Sequence, residues 1–463
     1  MNKRKALLLI QSGYSARNFI LSGFLNDKDL EFTFWSDQDY IQEYDIKNKL
    51  IKLPEYDYHW KVNFIVKIKN RAELFFNVKK TNNKNYLSYL IGIHKSNSLR
   101  GQFKKVLSNT IARFYANEKG IQNLDKPLYR AIRKTEYYKE CLEQLKSSKP
   151  DLVLCTHQRA SVAIAPMLAA KDLGIKTTCF IHSWDNMPKG VQLVKAENYF
   201  VWSQYMKEEM RLYYPFIDEN SIKVTGTPQF MFYVTNKYKV SRDEYFKEFN
   251  LDATKKYIVF SGNDKTTSPN DPIYLSDICK SVLELNTNDD QFRILFRPNP
   301  IDRNDGFDSV LKEFSSVVTE IKPNWFGTDV FLWNQGGPNE KDVSLLVNTI
   351  NHCELMVNMG STMALDAAIL GKPSCYINYD VPSEYDWTVK RTYQFIHFDL
   401  VNESNPVFWM NDRNNLTEVL KEALNNPEKT LKGREKWIES VTQLPIEETN
   451  QRMWDFLKKT DEV

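Results

Sequence analysis

The sequence predicts an α/β protein of two domains, each built on a parallel β-sheet. Three observations carry that expectation. Apolar, strand-length runs alternate with helix-length segments from Asp151 to Thr225, a second such series runs from Tyr257 to Asn378, and a highly charged stretch, Lys237–Lys256, separates the two. Parallel strands need crossovers between them, and right-handed crossovers carrying helices produce this rhythm. A chain of 463 residues also exceeds what one core serves well.

Taken in order, Lys5–Gln11 (KALLLIQ) reads as a strand, entering the loop and helix start of SGYSARNFI. Five consecutive apolar residues, Ala6–Ile10, behind a basic start suit a first strand better than a signal peptide. Glu31–Ser36 is a second strand. Helical patterns follow around Asn70–Lys79, Phe103–Glu118 and Tyr129–Lys146, in an elaboration spanning about 40–138. Asp151–Thr156 is a strand, Ala160–Leu173 a helix closed by Gly174, and Lys176–Ile181 and Asn198–Ser203 are strands, with a helix at Gln204–Tyr213. Ile222–Thr225 completes the first domain, placed at 1–235. The second, at 236–430, has strands at Tyr257–Ser261, Arg293–Phe296, Val330–Trp333, Glu354–Asn358 and Ser374–Asn378, and a helix at Asp342–Ile350. Residues 431–463 form a helical tail with Trp437 and Trp454 as packing anchors.

Composition narrows the function classes. No run of about 18 apolar residues is present to span a bilayer. The six cysteines are scattered without a CxxC pair, which suits buried thiols in a reduced, cytoplasmic setting. The six histidines lack HExxH spacing, so no metal site is expected, and no P-loop occurs. The net charge of +3 hides an asymmetry: Lys61–Thr135 holds 17 Lys and Arg against Glu73, Glu118 and Asp125. With aromatic residues interleaved, residues 61–135 are a candidate face for an anionic membrane surface, the alternative being solvated helices with core aromatics. No recognition motif accompanies the charge, so nucleic acid is not the expected partner.

The stretch Asn348–Asp380 carries the chemistry: strand, small-residue loop, helix, Gly371 stop, strand. Gly360 permits close backbone approach to a ligand, Ser361 or Thr362 can cap the helix, and free N–H groups there favour an anion. Asp366, one turn in, can accept hydrogen bonds from sugar hydroxyls. The loops Ser261–Lys265, with Gly262 and Asn263, and Arg297–Pro300, with Asn299, also follow strands. In a parallel sheet all three converge on one edge, and Arg297 can clasp a phosphate, unless it is held in an ordinary ion pair. In the first domain Gly13, Tyr14, Ser15 and Arg17 line the end of the first strand. His182 and Asp185 share one loop with Asn186 and Lys189, where either can act as base or Asp185 can orient the imidazole. His157 and Arg159 form a second cluster able to contact substrate. A turn in which Asp185 or Asn186 bonds backbone groups is the competing reading.

These residues carry a family resemblance. The layout resembles GT-B glycosyltransferases, and Ile181–Gly226 is similar to CDP-glycerol glycerophosphotransferases and related surface-polysaccharide transferases. Their His-Gly-Thr-Pro loop resembles His182-Ser183-Trp184-Asp185, their Thr-Gly-Tyr-Pro-Arg turn resembles Thr225-Gly226-Thr227-Pro228, and their Arg-Pro-His-Pro loop resembles Arg297-Pro298-Asn299-Pro300. Asp366-Ala367 through Gly371-Lys372-Pro373 matches instead the Glu-Ala-x-x-x-Gly-x-Pro pattern of nucleotide-sugar enzymes.

The resemblance implies two Rossmann-like domains with parallel sheets facing across a cleft, the C-terminal helices crossing back onto the first. It implies a sugar transferase. The base loop at His182 favours inversion, and the helix terminus with Arg297 could stabilise the leaving phosphate without a metal. The scattered thiols with the basic segment suit a cytoplasmic, membrane-peripheral setting. The sugar would pass from a nucleotide-sugar co-substrate, with no other cofactor, to a cell-surface polysaccharide or glycolipid. Gly262, Asn263, Arg297, Asn299, Gly360, Ser361, Thr362 and Asp366 would bind donor, with the ribose on Asp366. Gly13, Tyr14, Ser15, Arg17, His157, Arg159, Asn186 and Lys189 would bind acceptor, and His182 with Asp185 would be catalytic. The rival readings are a polyol-phosphate transferase using CDP-glycerol or CDP-ribitol, and a catalytically degenerate glycan-binding scaffold. A nucleotide-sugar 2-epimerase shares the architecture, but the acidic and histidine pattern expected of it is not evident.

Overall fold

The computed structural model describes residues 3–56, 58–90, 99–287, 289, 291–300, 306–327 and 336–459. It forms two compact units, Met1–Pro228 with Val441–Val463, and Gln229–Ser440. These limits differ from the expected 235 and 430. The short Met231–Val234 helix packs on the Glu340–Asn351 helix of the second unit. At the other limit, a Cβ on Gly433 would collide with the Ser404 and Asn405 carbonyls, so the Leu431–Val441 helix lies tight on that unit too.

The first unit holds a seven-stranded sheet: β1 (Arg4–Leu9), β2 (Leu30–Ser36), β3 (Leu50–Lys52), β4 (Leu152–Cys155), β5 (Lys176–Phe180), β6 (Asn198–Val201) and β7 (Ile222–Val224). All neighbours are parallel, in the order β3-β2-β1-β4-β5-β6-β7. The central strands are buried on both faces, which is why they read as continuous apolar runs rather than alternating ones. Three-residue β3 is too short and too polar at its end to stand out in the sequence.

The elaboration comprises the helices Trp60–Thr81, Leu99–Phe114, Glu118–Asn123, Asp125–Ile132 and Glu136–Ser148. The single helix expected over Tyr129–Lys146 is two, because the Thr135 hydroxyl accepts from Tyr138 N–H at 3.2 Å and starts a new one. A buried ionic cluster ties the elaboration to the loop after β5. Lys69 donates to Asp125 at 2.6 Å and lies 3.9 Å from Glu73. Glu73 in turn accepts from Gln192 N–H at 3.1 Å and Tyr214 O–H at 3.0 Å.

The second unit holds a six-stranded parallel sheet: β8 (Lys256–Ser261), β9 (Phe292–Arg297), β10 (Val318–Glu320), β13 (Leu355–Asn358), β14 (Ser374–Ile377) and β15 (Phe408–Met410), in the order β10-β9-β8-β13-β14-β15. A two-stranded antiparallel pair, β11 (Trp325–Phe326) and β12 (Gly337–Pro338), stands apart. The strand expected at Val330–Trp333 lies outside the described residues. All six cysteines are free and buried.

The final helix, Thr449–Lys459, belongs to the first unit. Trp454 Nε1 donates to the Phe24 carbonyl at 2.8 Å, Asn450 Nδ2 to the Ser22 carbonyl at 3.1 Å, and Lys458 pairs with Asp27 at 2.9 Å. The turn at Gly226 (φ +86°) rests against Thr449, with no room for a Cβ. Met453 is fully buried in this seam. Met453→Ala is expected to cost about 3 kcal/mol in urea unfolding, and Asp455→Ala less than about 0.5 kcal/mol.

Candidate functional site

Strand order fixes where each unit can bind a ligand. In the first sheet the connections lead outward from β1 to β2 and β3 on one side, and from β4 to β7 on the other. A crevice opens beyond the carboxyl ends of strands where connections diverge, here between β1 and β4. Gln11 and Thr156, the residues leaving those strands, bond side chain to side chain at 2.7 Å, and Gln11 Nε2 also reaches Cys155 Sγ at 3.0 Å.

Around this point the structure gathers residues from three loops. Ser12 caps the short Gly13–Ala16 helix by accepting from Ser15 N–H at 3.2 Å. Ser15 Oγ then lies 3.5 Å from His182 Nδ1. The His157 and His182 rings stack, 4.1 Å between centroids and 12° apart in plane. His157 Nδ1 accepts from Arg159 N–H at 3.2 Å, which fixes its tautomer with the proton on Nε2. Gln158 aligns the His182 loop: Oε1 accepts from His182 N–H at 2.9 Å and Nε2 donates to Asn186 Oδ1 at 3.3 Å. Trp202 Nε1 holds the Ile181 carbonyl just before it, at 2.7 Å.

Burial sets the electrostatics. Desolvation is the largest influence on His182 and pushes its pKa down to about 4, against the opposing pull of Asp185 and a hydrogen bond to the Thr156 backbone. Desolvation, then His182 and Arg159, holds His157 well below its ordinary value. Both rings are therefore neutral at pH 7, and His182 remains half-buried rather than sealed. Asp185 pairs with Lys189 and accepts from Asn186 Nδ2 at 3.0 Å. Arg17 is buried, its Nε on Asn18 and its guanidinium 5.3 Å from the Tyr14 ring centroid. Glu209, a buried carboxyl on the Gln204–Tyr213 helix, carries no motif that would mark it in the sequence. Burial, reinforced by the charge of Asp185, pushes it well above the usual range.

In the second sheet the connections diverge between β8 and β13. The three loops read from the sequence do meet there. Gly262 N–H donates to the Arg297 carbonyl at 2.9 Å, and Asn263 Nδ2 donates to the Met359 carbonyl at 3.1 Å, bridging the divergence point. Asp271, absent from the sequence reading, accepts from Asn263 N–H at 2.6 Å and from Ser268 O–H, and burial lifts its pKa to about 7. Asn299 lies half-buried in the loop after β9, and Gly360, Ser361 and Thr362 form a half-buried rim. Asp366 is buried in the first turn of the seven-residue helix Met363–Ile369.

One role differs in detail from the sequence expectation. Gly360 (φ +64°) makes its close approach to protein: a Cβ there would stand 2.9 Å from the Phe398 ring. At the start of the Met363–Ile369 helix the N-cap residue Thr362 makes no side-chain capping bond, but Ser361 Oγ accepts from Met363 N–H at 3.4 Å. Ser361 N–H bonds Asn358 Oδ1 at 2.9 Å, closing the loop internally. Arg297, 5 % exposed, donates from Nη2 to Asp342 at 2.9 Å, and Asp342 also holds Asn324 N–H and Trp325 Nε1. Arg297 is thus held in an ion pair, but a buried one rather than the surface pair weighed from the sequence, and the buried Nη1 has no hydrogen-bond partner among the described residues. No cluster able to hold a metal ion occurs among the described residues.

No family model matches the chain, and no curated protein matches it in sequence. Solved structures do match in shape. The UDP-GlcNAc 2-epimerase of Neisseria meningitidis, bound to UDP-GlcNAc, is 14 % identical with a TM-score of 0.57, over 99 % of this chain and 100 % of that one. A glycosyltransferase from Rickettsia africae is 12 % identical with a TM-score of 0.53, over the whole of both chains. A variant of the wall teichoic acid polymerase TagF is 12 % identical with a TM-score of 0.51, over 99 % of this chain and 89 % of that one. The likeness shows the fold, a GT-B-like pair of parallel-sheet α/β domains.

Asp342→Ala strands a buried guanidinium and is expected to cost about 3–5 kcal/mol in denaturant unfolding. For His182, a folded pKa below the unfolded one means that stability is present above about 6.5 and lost as pH falls through about 4. Its Cε1–H proton resonance, assigned by comparison with His182→Asn, should not titrate between about pH 5.5 and 8.

Proposed function

We propose that this protein is a nucleotide-sugar-dependent glycosyltransferase. The observation that carries the reading is the bridge from Asn263 to the Met359 carbonyl, which joins two loops at the divergence point of the second sheet beside the Gly360–Thr362 rim. That edge suits a nucleoside diphosphate, with Arg297 Nη1 and rim hydroxyls as donors and Asp366 as acceptor for ribose. The GT-B-like neighbour solved with UDP-GlcNAc supports a nucleotide-sugar co-substrate.

In this reading the first unit's crevice takes the acceptor, a hydroxyl of a glycan or glycolipid. His182, neutral at pH 7, accepts the hydroxyl proton as the oxygen attacks the anomeric carbon, and the bond from that carbon to the diphosphate breaks. Nucleoside diphosphate leaves with the bonding pair, and the attack from the opposite face inverts the centre. A pKa near 4 makes a weak base, so a negatively charged substrate nearby must raise it for efficient transfer. Lys189 and Asn186 hold Asp185 in place on the same loop, where its charge pulls the imidazole pKa upward.

One second reading has specific support. Solved neighbours include UDP-GlcNAc 2-epimerases, so epimerisation of a UDP-sugar competes with transfer. Incubation with UDP-GlcNAc in heavy water separates them. Epimerisation at C2 must break the C2–H bond and brings deuterium to that carbon, whereas a transferase leaves C2 unlabelled and releases UDP only when an acceptor is added.

A melting-temperature rise with a UDP- or GDP-sugar is the expected result, and His182→Ala should lower kcat by about 10²–10⁴-fold with binding retained. A rise with CDP-glycerol alone would establish the polyol-phosphate transferase instead. No rise with any nucleotide sugar would leave the glycan-binding scaffold.

A further inference from the structure

The helices Trp60–Thr81 and Leu99–Phe114 pack side by side, and three contacts set their direction. Arg71 bonds Asn109, the Arg113 guanidinium lies 4.7 Å from the Phe75 ring centroid, and Lys79 Nζ donates to the Ala116 carbonyl at 3.2 Å. The numbering offset is nearly constant, so the helices run parallel and residue 64 lies level with about residue 102. Their shared inner face is ordinary core: Ile68, Ala72, Phe75 and Ala112 are buried in one cluster.

The outer face is not ordinary. Phe103 is 69 % exposed, Val106 64 %, Leu107 48 % and Phe114 79 %. Their spacing places them on one stripe of the helix. Phe114 ends its helix; at the opposite end, level with Phe103, Trp60 is 64 % and Phe64 39 % exposed on the neighbouring helix. Exposed lysines flank these groups: Lys61 and Lys67 on one helix, Lys104 and Lys105 on the other. The acids that would offset this charge are withdrawn. Glu73 and Asp125 are buried around Lys69, and Lys195 also pairs with Asp125, leaving Glu118 as the exposed acid between positions 61 and 135.

We propose that the N-terminal ends of these two helices dock on an anionic phospholipid bilayer. Aromatic and aliphatic side chains would enter the interfacial layer, with lysines placed among the lipid phosphates. The pattern is that of helices lying in a membrane interface. A second copy fits poorly, because a symmetric contact would press like charges together. Nucleic acid would use the lysines but leave the apolar stripe without a partner. No helix among the described residues is long and apolar enough to cross a membrane. This inference stands independently of the proposed reaction.

Vesicle flotation of the full chain tests it, using phosphatidylcholine alone and phosphatidylcholine mixed with phosphatidylglycerol. The expected result is flotation with the mixed vesicles only. A fall on the order of tenfold is expected for Phe103→Ser with Leu107→Ser, and separately for Lys104→Glu with Lys105→Glu. All four positions are exposed, so far-UV circular dichroism and melting temperature should match wild type. Failure to float with either vesicle, equal flotation with both, or variants that float like wild type would overturn the proposal. So would a wild-type dimer, seen by light scattering, that Phe103→Ser with Leu107→Ser dissociates, which would assign the face to self-association.

Discussion

The constraint on which the rest depends is the direction of the crossovers. A parallel sheet whose connections all run one way covers the carboxyl ends of its strands evenly. One whose connections part leaves a gap that no loop of its own fills. Both sheets here part, between β1 and β4 and between β8 and β13. Side chains that can do chemistry collect at those two gaps for that reason. His157 and His182 stack at the first although 25 positions apart, and Asn263 meets the Met359 carbonyl at the second across nearly a hundred residues.

Burial does the remaining work on reactivity. At the first gap it holds two imidazoles neutral, and on the Gln204–Tyr213 helix it pushes the Glu209 carboxyl well above its ordinary range, with the charge of Asp185 adding to the shift. The loop bearing His182 is also anchored from outside the sheet. Glu73, on a helix of the elaboration, takes the Gln192 N–H and the Tyr214 hydroxyl, and Lys69 and Asp125 surround it with charge. Such a cluster is costly to break once formed, because each member would be left buried and unmatched. The basic elaboration is therefore tied to the loop after β5 by specific bonds.

Much of this is legible in the sequence because its signals are local. Apolar runs mark β1, β4, β5, β8 and β13, and glycine with proline behind it ends the helix before β14, where Gly371 takes φ +75°. The convergence of the Gly262, Arg297 and Gly360 loops follows from strand order alone. What cannot be read is partnership. Nothing near Arg297 in sequence points to Asp342, 45 residues on, nor anything near Asn263 to the role of Asp271. A glycine at 360 announces that something comes close, but not that it is the Phe398 ring rather than a ligand. Short strands such as β3, β10 and β15 escape notice because three residues carry no periodicity. Helical pattern does not say which core a helix joins, so a tail starting at 431 falls short of the observed Val441.

The six enclosed thiols have a practical corollary. Burial lifts five of them, Cys141, Cys179, Cys279, Cys353 and Cys375, above their ordinary ionisation range, so the folded chain presents little thiolate to an electrophile. A single cysteine placed on the surface would be the fast-reacting one. A fluorophore or spin label could then be mounted at one chosen position without stripping the native sulfurs from the core.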